Sequence, residues 1–235
     1  FPGYKIYDEY NPDQYKTSVQ KKVEKVLGEA ETLRHRQGGE SPELQALLER
    51  EAETLKEFFG YDVDVPPLPE EITPERYEKW KEMGLELHYL PAEEMNKENN
   101  FPGWKKKPED WFYKKLKTKE IAADSATLPA AWVLADTREK PHYQDGRQLY
   151  ENDVLRDVLE HLRKKNVITD FKVKDSRYHI SWDELHKPEV KHAIAEVLDV
   201  PEEALRLPRA IEWNYLGNAY HPQWGDTNTW EWFED

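Results

Sequence analysis

Apolar residues in the first 60 positions recur at the spacing of an α-helix, and this pattern constrains the fold more than any other feature. The first run follows Asn11-Pro12, an N-cap with proline at the first helical position, and stops at Gly38-Gly39. A second run begins at Ser41-Pro42 and ends near Phe59. Two such stripes joined by a short polar loop predict an antiparallel helical hairpin over residues 1–65.

A proline-rich stretch separates this hairpin from the rest of the chain. Residues 62–71 contain Pro66, Pro67 and Pro69, which favour a stiff, extended backbone. We interpret residues 66–125 as a linker followed by a helical and loop segment pinned by tryptophans. Residues 126–235 are interpreted as an α+β domain. The predicted fold class is therefore α+β, with a helical hairpin before a mixed α/β part.

Periodicity also predicts the shorter elements. Leu85, Leu87 and Tyr89 alternate with Glu86 and His88, which is typical of a strand with one apolar and one polar face. The apolar run at 130–135 predicts a buried strand, and Ser181 with Glu184 predicts a capping box. Further helices are predicted to start at Thr73, at Asn152 or Asp153, at Pro188 and at Pro201, and further strands cover 167–173 and 210–213.

Charge and composition exclude several classes of function. The 235 residues carry a formal net charge of −14, which disfavours binding to phosphate backbones, so no nucleic acid partner is expected. The chain has no cysteine, which excludes disulfides and thiolate chemistry. No apolar run approaches membrane-spanning length, so no membrane insertion is expected. Because the chain begins at Phe1 we expect a processed or partial chain, either cytoplasmic or exported from a bacterial-type cell.

Motifs that carry catalysis are incomplete in this chain. Residues 136–140 resemble only a fragment of a nuclease acidic motif. His179, His186 and His192 lack the spacing that brings metal ligands onto one helical face, which favours structural or solvated histidines. Residues 176–185 supply Ser, His and Asp, but crowded into one corner rather than drawn from distant segments. The sequence therefore predicts no catalytic residue, no metal ligand and no cofactor.

The C-terminal stretch is rich in aromatic residues interleaved with polar ones and turn formers. It holds four of the nine tryptophans, namely Trp213, Trp224, Trp230 and Trp232. Such a composition suits a ligand-facing surface, and the candidate ligand-binding residues are Trp213, Asn214, Tyr220, His221, Trp224 and Asp226. A glycosidase would use paired carboxylates beside tryptophans, for which the stretch offers Glu212, Asp226, Glu231, Glu234 and Asp235. The tryptophans would equally suit a core, with Trp230 and Trp232 as same-face neighbours on a strand.

Residues 229–235, Thr-Trp-Glu-Trp-Phe-Glu-Asp, resemble the Gly-Asn-Val-Trp-Glu-Trp-x-x-Asp signature of the formylglycine-generating-enzyme branch of the C-type-lectin-like fold. Gly217-Asn218 is present but lies well upstream of its place in that signature. The resemblance implies an incomplete C-type-lectin-like module. It also implies a binding role, because the enzymatic members of the branch use cysteines that this chain lacks.

The leading hypothesis from the sequence is a non-enzymatic protein that binds a protein or glycan ligand through an aromatic and polar surface on a C-type-lectin-like scaffold. One alternative is a carboxylate-based hydrolase acting on glycosides or another small substrate. The other is a structural interaction subunit that docks a partner through the N-terminal hairpin.

Overall fold

The computed structural model of the chain describes residues 41–141, 143, 145, 147–169, 176–226 and 233–234. The chain divides into two compact units, one formed by Phe1–Glu49 with Pro66–Pro74 and the other by Arg50–Val65 with Glu75–Asp235. The described residues form α-helices and one two-stranded antiparallel sheet, which confirms the α+β class.

The helices of the described part are α1 (Pro42–Phe59), α2 (Pro74–Glu82), α3 (Asp110–Thr118), α4 (Arg156–Lys164), α5 (Trp182–Leu185), α6 (Pro188–Leu198) and α7 (Ala210–Ala219). Short 3₁₀ turns cover Ala123–Ala126, Glu202–Ala204 and Pro222–Asp226. The predicted helices that begin near Ser41-Pro42, Thr73 and Pro188 are confirmed, each with proline in its first turn. The first helix of the predicted hairpin lies outside the described residues. No helix in the described ranges is both long and apolar enough to cross a bilayer.

The sheet pairs β1 (Leu85–Leu90) with β2 (Ala131–Asp136) in antiparallel register, from Leu85 opposite Asp136 to Leu90 opposite Ala131. Both strands were expected from their apolar patterns. The polar face predicted for β1 is only partly exposed, because Glu86 is half-buried and His88 is 2% exposed beneath the Tyr220 ring. Residues on β2 are half-buried rather than fully buried.

The predicted strand at residues 210–213 is wrong, because these residues open helix α7. The carboxylate of Glu212 accepts the N–H of Arg209 at 2.9 Å, which satisfies a free donor at the start of a helix. Ile211, Tyr215 and Leu216 are fully buried at helical spacing. The short apolar run Ala210-Ile211 fits either period, and only the later positions distinguish a helix from a strand.

Two other predicted elements lie partly or wholly outside the residues that the structure describes. Of the strand predicted over 167–173, residues 167–169 are irregular and 170–173 lie outside the described residues. Trp230 and Trp232, read as same-face strand neighbours, also lie outside them. Helix α4 begins later than predicted, at Arg156, because the Asp153 carboxylate accepts the N–H of Leu155 in the turn before it.

Two groups of buried apolar residues hold the larger unit together. The first is built around the aromatic rings of α1 and α7 and contains Leu55, Phe58, Phe59, Tyr89, Leu90, Met95, Trp104, Phe112, Ala126, Leu128, Ile211, Tyr215 and Leu216. The second joins α4 and α6 through Leu149, Leu155, Leu159, Leu162, Ile168, Ile180, Val190 and Ile194.

Glu184 is expected to make the stability of the fold sensitive to acid. It also forms the predicted capping box with Ser181. Its carboxylate accepts the N–H of Ser181 at 2.9 Å and the N–H of Thr169 at 2.6 Å. Burial alone would raise the pKa of Glu184, but the hydrogen bonds prevail and lower it from the ordinary 4.5 to about 2. Because the folded pKa lies below the unfolded one, this carboxylate stabilises the fold above about pH 4.5, and the contribution disappears as the pH falls towards 2.

We therefore expect Glu184→Gln to lower the free energy of unfolding at pH 7 and to flatten its decline between pH 5 and 2, roughly the range over which the wild-type carboxylate is protonated. Urea unfolding at a series of pH values measures both. Glu160→Gln is the matched control, since Glu160 is an exposed carboxylate that pairs with Lys164 at the surface. Equal pH slopes for the wild type and Glu184→Gln would contradict the assignment.

Candidate metal site

A cluster of histidine and glutamate side chains forms where three segments of the larger unit meet. Glu51 comes from α1, Glu86 and His88 come from β1, and Tyr220 and His221 follow α7. We call these five residues the His–Glu cluster. Glu86 and His88 are two apart on a strand and so project from the same face of the sheet. His221 is fixed by its own N–H, which donates to the carbonyl oxygens of Leu216 and Gly217 at the end of α7.

Glu51 lies at the inner side of the cluster and is fully buried. One carboxylate oxygen, Oε1, lies 3.2 Å from His88 Nδ1. The other, Oε2, accepts the Tyr89 N–H at 3.0 Å and the Tyr220 hydroxyl at 2.6 Å. Burial by itself would raise the pKa of Glu51, but the hydrogen bonds from His88, Tyr220 and Tyr89 lower it overall. The residue is therefore held as a carboxylate inside the protein.

Two imidazole nitrogens converge on one carboxylate oxygen at the outer side of the cluster. His88 Nε2 lies 3.0 Å from Glu86 Oε2, and His221 Nε2 lies 2.9 Å from the same oxygen. One donor atom from each of the three residues lies within 4.8 Å of the others. His88 is 2% exposed, whereas the side chains of His221 and Glu86 are 14% and 41% exposed. Solvent therefore reaches the outer side at Glu86.

The surroundings of the cluster favour the charged forms of Glu86 and His88. Hydrogen bonds from His221 and His88 hold the pKa of Glu86 well below its usual range. Burial would lower the pKa of His88, but the neighbouring carboxylates of Glu51 and Glu86 raise it overall. Burial raises the pKa of Tyr220, which therefore stays a neutral hydroxyl donor to Glu51.

Aromatic stacking fixes the second histidine. The His221 ring stacks on Trp224 with centroids 4.6 Å apart and planes 7° apart, and Trp224 stacks on Trp213 at 4.1 Å. Gly217 lies under this stack, where an added Cβ would come within 3.2 Å of the Trp224 ring. A different interaction therefore fixes each histidine. His88 contacts a buried carboxylate, and His221 stacks on the indole rings.

The structure brings together some of the six candidate ligand-binding residues. Tyr220 and His221 belong to the His–Glu cluster, and Trp213 and Trp224 stack behind His221. Asn214 instead connects α7 to the segment at residues 104–106. Its Oδ1 accepts the Trp104 indole N–H at 2.7 Å, and its Nδ2 donates to the Lys106 carbonyl at 3.0 Å. The side chain of Asp226 lies outside the described part of the structure.

The carboxylates of the hydrolase hypothesis have other partners. Glu212 is 3% exposed and accepts hydrogen bonds from Arg206 and Arg209, which lower its pKa against the effect of burial. A general acid needs the opposite shift. Glu234 pairs with His186 at 3.2 Å. Glu231 and Asp235 lie outside the described residues.

The remaining motifs of the sequence are also engaged in internal contacts. Asp136 binds Arg138 through two hydrogen bonds, at 2.9 and 2.6 Å, which ties up the carboxylate of the nuclease-like fragment. His186 and His192 pair separately with Glu234 and Glu202. The Ser176 hydroxyl donates to Gln148 at 2.8 Å rather than to a histidine.

A pocket of about 350 Å³ lies elsewhere, lined by Asp124, Thr127, Leu128, Pro129, Arg206, Arg209 and Glu234. The Arg209 guanidinium donates to the carbonyls of Asp124 and Thr127 and to Glu212. Arg206 also donates to Glu212. Both arginines of the pocket therefore already donate hydrogen bonds to acceptors of the fold. We place the candidate site at the His–Glu cluster instead.

Sequence reasoning missed Glu51, Glu86 and His88. The signal for two of them was present, since Glu86-x-His88 on a strand places a carboxylate and an imidazole on one face. The alternation predicts only a strand with one polar face and gives no sign of what covers that face. The long-range partners Glu51 and His221 lie 37 and 135 residues from their contacts and leave no local pattern.

Comparisons with known proteins add no relative. No protein-family model matches the chain, and neither a curated protein nor a solved structure matches it.

Proposed function

We propose that this protein binds a divalent transition-metal ion through His88 Nε2, His221 Nε2 and the Glu86 carboxylate. The observation that carries this proposal is the convergence of both imidazole nitrogens on one Glu86 oxygen, at 3.0 and 2.9 Å. Zn²⁺ suits the donor set best, because imidazole and carboxylate are among its ordinary ligands.

The spacing of the donors supports this assignment. Zinc bonds of roughly 2.0–2.1 Å in a tetrahedral arrangement separate neighbouring ligand atoms by roughly 3.3 Å. The contacts to Glu86 need to lengthen by only a few tenths of an ångström, roughly, for an ion to replace the protons shared between these groups. The partly exposed Glu86 gives an ion a route from solvent.

The inner side of the cluster supplies a hydrogen-bond acceptor for the second ring nitrogen of His88, a partner that metal-binding histidines commonly have. His88 Nδ1 faces the Glu51 carboxylate at 3.2 Å, so that Nε2 is left to face the ion. A hard cation such as Mg²⁺ prefers oxygen donors and retains its waters, so two imidazoles disfavour it. The proposed site therefore selects transition metals over Mg²⁺.

Calorimetric titration of the chelator-treated full chain tests this function. We expect one Zn²⁺ per chain, bound at least roughly 100-fold more tightly than Mg²⁺, together with visible absorption bands from Co²⁺ in the same site. His192→Ala serves as the matched control, since His192 is an exposed histidine paired with Glu202. Absence of saturable Zn²⁺ binding, or its loss in His192→Ala, would overturn the proposal.

The lectin-like binding hypothesis is a separate proposal, in which the aromatic C-terminal stretch carries a protein or glycan ligand. It is supported by the sequence pattern and by the position of Trp224 and His221 near the surface. A glycan and protein array separates it from the metal proposal when run with and without chelator. Binding that survives chelation supports the lectin-like hypothesis, and silence on the array counts against it.

A further inference from the structure

Glu51 is a buried charge that the proposed ligand set does not use. It is 0% exposed, and each of its two oxygens has a different group of partners. Oε2 faces two donors, the Tyr89 N–H and the Tyr220 hydroxyl. Oε1 faces His88 Nδ1 and is also approached by Arg50 at 3.0 Å. Burying a carboxylate costs free energy, and hydrogen bonds from the surrounding donors offset this cost at Glu51.

The contacts of Glu51 decide which nitrogen of His88 keeps its proton when metal binds. A carboxylate oxygen only accepts hydrogen bonds, so without metal both ring nitrogens carry hydrogen, Nδ1 towards Glu51 and Nε2 towards Glu86. When an ion displaces the Nε2 proton, Nδ1 keeps its hydrogen bond to the buried Glu51 and the lone pair lies on Nε2. Nε2 is the nitrogen that points at Glu86 and towards His221. The orientation of His88 is further fixed by the Tyr220 ring, whose centroid lies 3.9 Å from the imidazole.

We propose that Glu51 is a positioning residue that holds His88 in the tautomer that binds metal through Nε2, and that it thereby couples metal occupancy to the packing of α1. This inference rests on the proposed function. Glu51 joins α1 to the β1 backbone at Tyr89 and to the end of α7 at Tyr220. An ion bound to Glu86, His88 and His221 joins β1 to the end of α7, and Glu51 connects both of these segments to α1. By linkage, metal binding stabilises this packing as much as the packing strengthens metal binding.

The variant Glu51→Gln tests the tautomer directly. Two donors held inside the fold face the position of Oε2, whereas Oε1 faces His88 and the half-exposed Arg50 side chain, which is able to turn to solvent. The amide oxygen therefore belongs at Oε2, and the amide NH₂ is turned towards His88. Nδ1 must then accept a hydrogen bond, which moves the imidazole proton to Nε2, where the ion would bind. We expect Zn²⁺ affinity to fall by roughly 10- to 100-fold, which is typical of lost outer partners of metal ligands. Nitrogen chemical shifts of His88 in the metal-free protein at alkaline pH report the change of tautomer.

The matched control is Glu212→Gln. Glu212 is a buried carboxylate of the same unit, 3% exposed, that serves Arg206 and Arg209 and lies outside the cluster. Its loss should reduce stability without changing Zn²⁺ affinity or the His88 tautomer.

If Glu51→Gln fails to fold, the variant Tyr220→Phe tests the inference instead, because it keeps the ring on His88 but removes one donor to Glu51. We expect a smaller loss of affinity there, roughly a few-fold.

Hydrogen exchange measures the coupling to α1. Zn²⁺ should slow exchange of the Tyr89 amide and of amides in residues 50–59 of the wild type, and it should do so less in Glu51→Gln or Tyr220→Phe. Wild-type protein that binds no Zn²⁺ overturns the proposed function. Wild-type protein that binds Zn²⁺ with affinity and exchange unchanged by these variants overturns this inference alone.

Discussion

Replacing His221 with alanine is expected to weaken Zn²⁺ binding by at least roughly 100-fold while the chain remains folded. His221 contributes one of three proposed ligand atoms, and loss of a direct ligand costs more than the loss of an outer partner. His221 is the better test than His88, because its side chain is 14% exposed whereas His88 is 2% exposed and faces the buried Glu51. Removing His88 would leave that carboxylate without its imidazole partner.

The fold is expected to tolerate His221→Ala at a cost of about 1 kcal/mol, the size of a lost ring stack such as the one on Trp224. Calorimetry gives the affinity, and urea unfolding of the metal-free protein gives the stability. His192→Ala should leave both values near those of the wild type. Unchanged Zn²⁺ affinity in a folded His221→Ala protein would exclude His221 as a ligand and contradict the proposed donor set.

Replacing Phe58 with alanine is expected to lower the free energy of unfolding by about 3–5 kcal/mol. Phe58 is 2% exposed and makes edge-to-face contacts with Phe59 at 4.8 Å and Tyr215 at 4.9 Å. Gly103 packs directly on its backbone, and the Gly103 N–H donates to the Phe58 carbonyl at 2.8 Å. A ring enclosed in this way leaves a cavity that its neighbours fill poorly.

The melting temperature of Phe58→Ala should fall by roughly 6–20 °C, as expected for a chain of this size. Trp111→Ala is the matched control, because Trp111 is an aromatic residue of the same unit that is 53% exposed, and it should change stability little. Phe58→Leu should cost less than Phe58→Ala, since most of the volume is kept. A loss below roughly 1 kcal/mol in Phe58→Ala would contradict the central place of this ring.

Local patterns predicted many of the elements correctly. The helices beginning at Pro42, Pro74 and Pro188 and the strands at Leu85 and Ala131 follow from periodicity and from proline at helix starts. The prediction failed at residues 210–213, where a short apolar run fits either period. There the contact between Glu212 and the Arg209 N–H and the burial of Tyr215 favour the helix.

The candidate site was accessible to sequence reasoning only in part. Tyr220 and His221 were singled out because aromatic and polar residues crowd the C-terminal stretch, and both lie in the His–Glu cluster. Glu86 and His88 share a strand face by spacing alone, but nothing local indicates that His88 is covered by other segments. Glu51 occupies an ordinary position in a charged helix, and its burial depends on residues 37 to 169 positions away.

The sequence by itself determined the α+β class, the acidic charge, the absence of thiol chemistry and several of the helix and strand positions, because these depend on composition and on neighbours a few residues apart. Only the tertiary structure decided that His88 is buried on the polar face of β1 and that two histidines converge on one carboxylate oxygen. The physical reason is that burial and donor geometry arise from contacts between distant segments. The cluster forms only when α1, β1 and the end of α7 come together.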